Sequence, residues 1–329
     1  MNTIKKLFVL LLSITASTTY AHFQLIYTPL SVIPQEQSAV EFQLVFTHPF
    51  ESGHTMDIGK DESGTIKGLQ AFFALHKGKK TDLLPALNEI QFTSSENSGK
   101  GFALVLDRNT GFRGGGDWVL VAVPHPYYEK ADDVYIQQIT KVMINKGNLD
   151  TDWAKRAAEG YPEILPLVKP YDVWEGNVFR GIVVDEKGKP IPKAKIEFVY
   201  LNYAVDMQTH AFTGSAKLKK SGTGVILANN QGLFEFIPPR AGYWGFAALE
   251  AGGSKQFGGK ALSEDAVLWI EAQPRDPILT QKPMQEAASK PAPQAKSGNT
   301  SSGTLSIAII VIIGALGVLI IRILKKRKN

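Results

Sequence analysis

The sequence predicts an all-β protein with two β-sandwich domains and one C-terminal transmembrane helix. Apolar residues alternate with other residues through 40–46, which is the period of a strand with one buried face. Short apolar runs at 69–75 and 118–123 are bounded by Gly, Lys or Pro, as the buried strands of a sandwich are. A uniformly apolar run at 305–324 has the length of a membrane-spanning helix.

The first sandwich is predicted over residues 22–170. Within it, Val134–Ile144 fits a helix almost as well as a strand, but six of its eleven residues are β-branched, which favours a strand. Residues 150–160 begin with Asp, continue through an Ala-rich stretch and end at Gly, which predicts one short helix.

The second sandwich is predicted over residues 171–272. Strand-like segments there are followed by Gly, Pro or Asn turns at short spacing, which is typical of a small antiparallel sandwich. The segments FRGIVVDEKGKPI and NNQGLFEF resemble the transthyretin-like modules found beside many exported domains. The predicted fold is therefore a pair of immunoglobulin-like or transthyretin-like sandwiches, and this resemblance concerns fold and not function.

Residues 1–21 have the pattern of a signal peptide. Lys5 and Lys6 precede a short apolar stretch, and small residues at Thr19 and Ala21 suit signal peptidase. Cleavage after Ala21 makes His22 the first residue of the mature protein. An uncleaved N-terminal anchor is the alternative.

The C-terminal segments predict a tether. Residues 273–304 are rich in Pro, Ala, Ser, Gln and Lys, which predicts a disordered stalk. The helix at 305–324 is followed by a basic tail at 325–329, and basic flanks remain in the cytoplasm. The expected location is the inner (cytoplasmic) membrane, crossed once, with the body in the periplasm or extracytoplasmic space and the C-terminus in the cytoplasm.

The charge distribution argues against a nucleic-acid partner. The formal net charge is +5, but two lysines near the N-terminus and the five basic residues from Arg322 onward contribute +7, which leaves the body near −2. The high pI therefore belongs to targeting and topology. The chain has no cysteine, which excludes disulfides and thiolate metal sites.

Histidines at two places predict a metal site. A terminal His22 can offer its α-amine and ring Nδ1 to one ion, and both groups lose their protons near neutral pH. The segment FTHPFESGHTMDI at 46–58 follows a predicted strand and places His48 and His54 in one loop. Imidazole suits nickel, cobalt, copper and zinc. Secondary candidate ligands are Glu51, Met56, Asp57 and His125. Whether His76 or His125 joins the site is left open.

Enzyme signatures are missing from the sequence. It contains no G-x-S-x-G, H-E-x-x-H or Walker motif and no cysteine nucleophile, so the chain is not predicted to be an enzyme. The glycines of FRGGGDW do not fit a phosphate loop and predict a turn. The acidic residues Glu129, Asp132 and Asp133 are interpreted as a solvated face.

The chain resembles the exported accessory proteins of nickel and cobalt uptake systems that work with energy-coupling-factor-type permeases. The matching segments begin at HPFESGHTMDIGK and end at QGLFEFIPPRAGYWGFAAL, and the block 163–202 is the most specific. The resemblance implies a metal-binding role for His22, His48 and His54. The chain departs from the family pattern at PHPYYE and at Gln138, where a His is frequent.

The predicted function is a membrane-anchored accessory protein that captures a divalent transition metal, with nickel first and then cobalt or copper, and presents it to a membrane permease. One alternative is a copper-dependent oxidative enzyme that uses the N-terminal His. Another is a metal-free structural adaptor. Metal content and reductant-dependent oxidation separate the three.

Overall fold

The computed structural model describes residues 22–275, and within them it is all-β, as predicted. One 3-10 turn lies at Leu84–Ala86. The strands, numbered in chain order, are β1 Phe23–Tyr27, β2 Val32–Ile33, β3 Val40–Thr47, β4 Thr55–Met56, β5 Leu69–His76, β6 Lys79–Asp82, β7 Asn88–Thr93, β8 Ser98–Leu106, β9 Gly116–Pro124, β10 Tyr127–Glu129, β11 Val134–Lys146, β12 Glu163–Pro166, β13 Val173–Trp174, β14 Phe179–Val184, β15 Lys195–Tyr200, β16 Ala204–Asp206, β17 Ala211–Thr213, β18 Thr223–Leu227, β19 Leu233–Phe236, β20 Gly242–Ala248, β21 Lys255–Phe257 and β22 Lys260–Gln273.

The strands form three sheets. A seven-stranded sheet has the order β1-β3-β8-β7-β17-β16, with β4 beside β3. A twelve-stranded sheet has the order β18-β15-β20-β22-β11-β9-β5-β6, with β2 and β10 on β11 and β13 and β21 on β22. The third sheet is β12-β14-β19.

The largest sheet crosses the predicted domain boundary at 170/171. Strand β22 runs parallel to β11 in a register that extends from Tyr135↔Leu262 to Val142↔Trp269. Strand β17 also reaches β7, with Ala211 opposite Thr93. The two predicted sandwiches therefore share sheets, and all described residues belong to one compact unit.

The two halves nevertheless have largely separate cores. One apolar cluster is built mainly from the first half and includes Phe42, Phe72 and Trp118. A second cluster is built mainly from the second half around Phe179 and Trp244. Trp269 of β22 packs into the first cluster, and its indole N–H donates to the carbonyl of Gln24 at 2.9 Å. Hydrophobic burial therefore joins the halves through β22.

The strands predicted from apolar patterns are confirmed. The segments at 40–46, 69–75, 118–123 and 134–144 correspond to β3, β5, β9 and β11. All nine residues of β9 are buried, because each face of its sheet is covered by an apolar cluster. Such a strand shows a continuous apolar run and not an alternating one.

The helix predicted at 150–160 is wrong, since the segment folds as turns. A buried carboxylate oxygen of Asp117 accepts from the amides of Thr151 and Asp152 at 2.5 and 2.8 Å. The carboxylate of Glu163 accepts from the amides of Ala157 and Ala158. Side chains from two other strands thus satisfy the amide groups that a helix would use, and no local pattern reveals this competition.

The described residues contain no helix long and apolar enough to cross a membrane. Four predicted segments lie outside them: the signal peptide at 1–21, the transmembrane segment at 305–324, the basic tail at 325–329 and nearly all of the stalk.

Candidate metal centre

Strand register brings three histidines together. Phe23 of β1 pairs with Thr47 of β3, so His22 lies beside His48, one position further along each strand. Thr47 also pairs with Thr55 of β4, which places His54 on the other side of His48. The three histidines therefore stand in a row at one end of the seven-stranded sheet.

The side chains of this row are close to one another. The ring centroids of His22 and His48 are 4.6 Å apart at an interplanar angle of 31°. Those of His48 and His54 are 6.2 Å apart at 39°. His48 is only 9% exposed, whereas the side chain of His54 is 50% exposed. The row thus has a buried centre and an accessible end.

The loop between His48 and His54 is closed by its own hydrogen bonds. The His48 amide donates to the carbonyl of His54 at 3.1 Å, and the Ser52 amide donates to the carbonyl of His48 at 2.9 Å. Ser52 adopts a positive φ of 55°, which tightens the turn. Its carbonyl accepts from the Ser95 amide at 2.8 Å. The loop is therefore held in one conformation by backbone contacts.

The second half of the chain also holds this loop. The Asn202 amide donates to the carbonyl of Pro49 at 3.0 Å, and its side-chain Nδ2 donates to the carbonyl of Phe50 at 3.0 Å. Phe50 packs against Gly222, where an added Cβ would lie 2.0 Å from the ring. Residues far away in sequence thus fix the position of His48 and His54.

Two polar residues support His22. The carboxylate of Glu129 lies 3.6 Å from His22 Nδ1, and its side chain is 14% exposed. Gln138 Nε2 donates to the His22 carbonyl at 2.9 Å, and Gln138 Oε1 accepts from the Gln24 amide at 2.7 Å. Gln138 therefore anchors the start of β1 instead of offering a ligand.

The rings of His22 and His48 are held in the neutral form. Burial and the nearby His54 ring together lower the pKa of His22 to about 4, against an opposing effect of Asp132. Burial likewise lowers the pKa of His48 to about 4, with added repulsion from His22 and His54. Neutral imidazoles keep a lone pair for a metal ion at ordinary pH.

The structure does not bring the secondary candidates into the row. Met56 is 4% exposed and lies in the first apolar core. Asp57 accepts from the Lys100 amide and pairs with Lys60 at 3.0 Å. Glu51 is exposed to solvent.

His125 and His76 are not members of the row. The His125 amide donates to the carbonyl of Gly68, and its ring is 3.4 Å from Gln70 Nε2. His125 also lines a small cavity with Phe46 and Gln138, which both contact His22, so it lies close to the row. His76 stacks on Trp118 with ring centroids 4.0 Å apart.

Among residues 22–275, no three His, Asp or Glu side chains are already arranged to hold a metal ion. Two nitrogens bound to one ion at about 2.1 Å lie roughly 3 Å apart, and rings 4.6 Å apart are compatible with that spacing. The His54 ring must move closer to join them. Its exposed side chain has room to change rotamer.

Sequence reasoning missed Glu129. It was interpreted as part of a solvated acidic face, yet it is the acidic side chain nearest to His22. Its position just before β11, in the segment that pairs Glu129 with Val134, brings it back to the row. The pairing register of the β10–β11 hairpin places Glu129 there, and the sequence alone does not show that register.

The chain belongs to the family described as "Domain of unknown function (DUF4198)", whose model matches residues 19–252. No curated protein matches the sequence.

Solved structures give only remote likenesses. The D0-D1 domain of intimin is 8% identical over 77% of this chain and 100% of that chain, with a TM-score of 0.18. The native E. coli alpha-2-macroglobulin is 11% identical over 78% of this chain and 14% of its own, with a TM-score of 0.19. A Ca2+-stabilized adhesin of an Antarctic bacterium that binds ice is 8% identical over 77% and 49%, with a TM-score of 0.20. Scores this low carry no conclusion about function.

Proposed function

We propose that this member of the DUF4198 family captures a divalent transition metal, nickel first and then cobalt or copper, and presents it to a membrane permease. The observation that carries the proposal is the row of His22, His48 and His54 at one end of the seven-stranded sheet. The resemblance of segments within 48–249 to accessory proteins of nickel and cobalt uptake supports the same role.

The chemistry of the row suits such an ion. Cleavage after Ala21 would add the α-amine of His22 to its imidazole, which makes a chelate of one residue. His48 lies next to that chelate, and neutral rings need no proton release before they bind. Nitrogen ligands of this kind favour nickel, cobalt, copper and zinc over magnesium and calcium.

The site is suited to exchange as well as capture. His48 is buried, but the side chain of His54 is half exposed. Its Nδ1 lies 4.0 Å from a carboxylate oxygen of Glu96, whose side chain is also exposed. A ligand at the rim of a site can leave the ion first when a partner offers its own ligands. We infer that His54 is the side chain that opens on transfer.

The predicted tether fits this role. The row lies near the start of β11, since Gln138 contacts His22, and β22 runs parallel to β11 and ends at Gln273. Asp265 pairs with Gln138, so the chain leaves β22 about eight residues, or about 25 Å, away from the site. The site therefore lies at the end of β11 and β22 that is remote from Gln273. A stalk of this length spans roughly 30 Å, enough to reach a neighbouring permease.

Metal binding by the mature protein tests the site. The full chain with His22 at its N-terminus should retain nickel after dialysis, and a form with one extra residue before His22 should bind nickel at least about tenfold more weakly. Equal affinity of the two forms removes the amine from the site. Absence of retained metal in both supports the adaptor reading.

Uptake and oxidation assays test the role. Deletion of 305–329 should release a body that binds metal but no longer supports nickel uptake at low external concentration. Full uptake by the released form contradicts the handover. Reductant-dependent oxidation by the copper-loaded protein would favour the enzyme alternative, and a carrier should show none.

A further inference from the structure

A cleft lies beside β6, the edge strand of the twelve-stranded sheet. Its volume is about 570 Å³, within the range of small-molecule sites. One wall is the β5–β6 hairpin with Lys79 and Thr81, and the other is the loop 109–113 with Arg113. Trp118 and His76 also line it. The segment FRGGGDW, interpreted above as a turn, thus forms part of a concave surface.

Cations in this cleft have no carboxylate partner. Lys79 and Arg113 are exposed, and neither forms an ion pair with any described residue. Two cations that line one cavity attract an anion.

The tautomer of His76 is fixed. Its Nδ1 lies 2.8 Å from the carbonyl of Asp117, and a carbonyl can only accept, so Nδ1 carries the proton. Stacking on Trp118 at 4.0 Å and 6° holds the ring in place. In the neutral ring Nε2 therefore has a lone pair, and it lies near Gly114 at the edge of the cleft. This nitrogen can accept a hydrogen bond from a ligand hydroxyl.

Thr81 offers a second acceptor. It pairs with Ala74, two residues from His76, so its side chain lies on the same face of the hairpin as those of Lys79 and His76. Its methyl group is 3.8 Å from the Cβ position of Gly111 on the opposite wall. The Thr81 hydroxyl can accept from a ligand hydroxyl, so the cleft combines donors for an anionic group with acceptors for hydroxyls.

The geometry points to this cleft as a binding site for the phosphate ester of a polyol, with the phosphate on Lys79 and Arg113 and the hydroxyls on His76 Nε2 and the Thr81 hydroxyl. The same chemistry is found in soluble glycerol phosphate and in the headgroup of phosphatidylglycerol. Strand β22 ends at this end of the molecule, since β22 is parallel to β11 and Lys146 of β11 pairs with Gly116 of β9. This site is independent of the proposed metal function.

Calorimetric titration of the full chain in phosphatidylcholine nanodiscs tests the site. Glycerol 3-phosphate should bind saturably and more tightly than inorganic phosphate or glycerol. Lys79→Ser and Arg113→Ser should each weaken it at least tenfold. Lys80→Ser is the matched control, because Lys80 lies over the Phe73 ring at 3.7 Å and does not line the cleft.

Thr81→Val, which keeps the shape of the side chain and removes its hydroxyl, tests the hydroxyl contacts separately. It should reduce the preference for glycerol 3-phosphate over inorganic phosphate without weakening the binding of inorganic phosphate itself. Nanodiscs that contain phosphatidylglycerol distinguish the sources: competition with the soluble probe identifies the lipid headgroup, and unchanged binding identifies the soluble ester. Absence of saturable binding in the first nanodiscs, or an equal loss in the Lys80 control, overturns the proposal.

Discussion

The ring of His22 lies 4.6 Å from the ring of His48, and the two residues occupy neighbouring strands that meet in antiparallel register. The contact follows from backbone pairing, because Phe23 is opposite Thr47. His22 is thereby fixed on a buried histidine that belongs to a closed loop. This relationship sets the first three predictions.

Substitution in the row should weaken metal binding. His48→Gln and His54→Asn should each lower nickel affinity by about tenfold or more, since each removes one imidazole ligand. The visible spectrum of the cobalt-loaded protein should change in both variants. His210→Asn is the control: His210 bonds to Gln43 in another part of the sheet and has a positive φ of 52°, which Asn tolerates. A similar loss in that variant contradicts the assignment.

Stability should fall as the pH drops from about 6.5 to about 4. Unfolded histidines take up protons near pH 6.5, whereas burial keeps the pKa of His22 and His48 at about 4 in the folded state. The unfolded state therefore binds more protons in this window, and each such proton contributes up to about 1.4 kcal/mol per pH unit.

The check is urea unfolding of the metal-free protein at several pH values, compared with a His22→Gln, His48→Gln variant. Asp265 acts in the opposite direction, because burial raises its pKa to about 6 and the folded state then binds the extra proton. The difference between the two proteins removes that contribution. An identical pH dependence in both would contradict the low pKa values.

The contact between Phe50 and Gly222 should control the metal loop. In Gly222→Ala the new Cβ would lie 2.0 Å from the Phe50 ring, so the ring and the His48–His54 loop must move. Nickel affinity should fall several-fold while the far-ultraviolet circular dichroism spectrum is retained. Gly224→Ala is the matched variant, since its Cβ meets Phe198 and not the loop. Equal effects on affinity would mean that the loop is not the cause.

Asp117 should be essential for the segment 150–160. Burial alone would raise its pKa, but hydrogen bonds from Tyr171, Asn145 and backbone amides outweigh it, and the pKa is lowered. Asp117→Ala leaves these donors unsatisfied and should cost about 3 kcal/mol or more in the free energy of unfolding. Asp185→Asn, in an exposed turn, should have a much smaller effect in the same denaturation assay.

Lys141 and Glu163, which form a buried ion pair, should have coupled effects on the free energy of unfolding. Its atoms are 2.5 Å apart, and both side chains are 2% exposed. Lys141→Met leaves the buried Glu163 carboxylate with only the more distant Arg156, whose Nε lies 3.6 Å away, and should destabilise the protein by about 3 kcal/mol. Adding Glu163→Gln should recover part of the loss, as a double-mutant cycle in urea would show. Additive losses would mean that the pair does not act as a unit.

The sequence by itself determined the all-β class, four strands and the three histidines of the candidate site. Apolar periodicity is local, so it identifies β3, β5, β9 and β11 without knowledge of their neighbours. His22 and the pair His48 and His54 could be selected because a processed terminus and a His-containing loop have recognisable local patterns. Met56 and Asp57 could not be rejected, because their burial and their partners are set elsewhere.

Only the tertiary structure decided the rest, because the deciding contacts join distant residues. Asp117 and Glu163 accept hydrogen bonds from backbone amides of the segment 150–160, so that segment folds as turns and not as the predicted helix. Strand β22 joins β11 and carries one sheet across the predicted domain boundary. Glu129 faces His22 only because β10 pairs back onto β11. Strand pairing is non-local. Apolar residues in a sequence indicate which positions are buried, but they do not identify the strand that each segment pairs with.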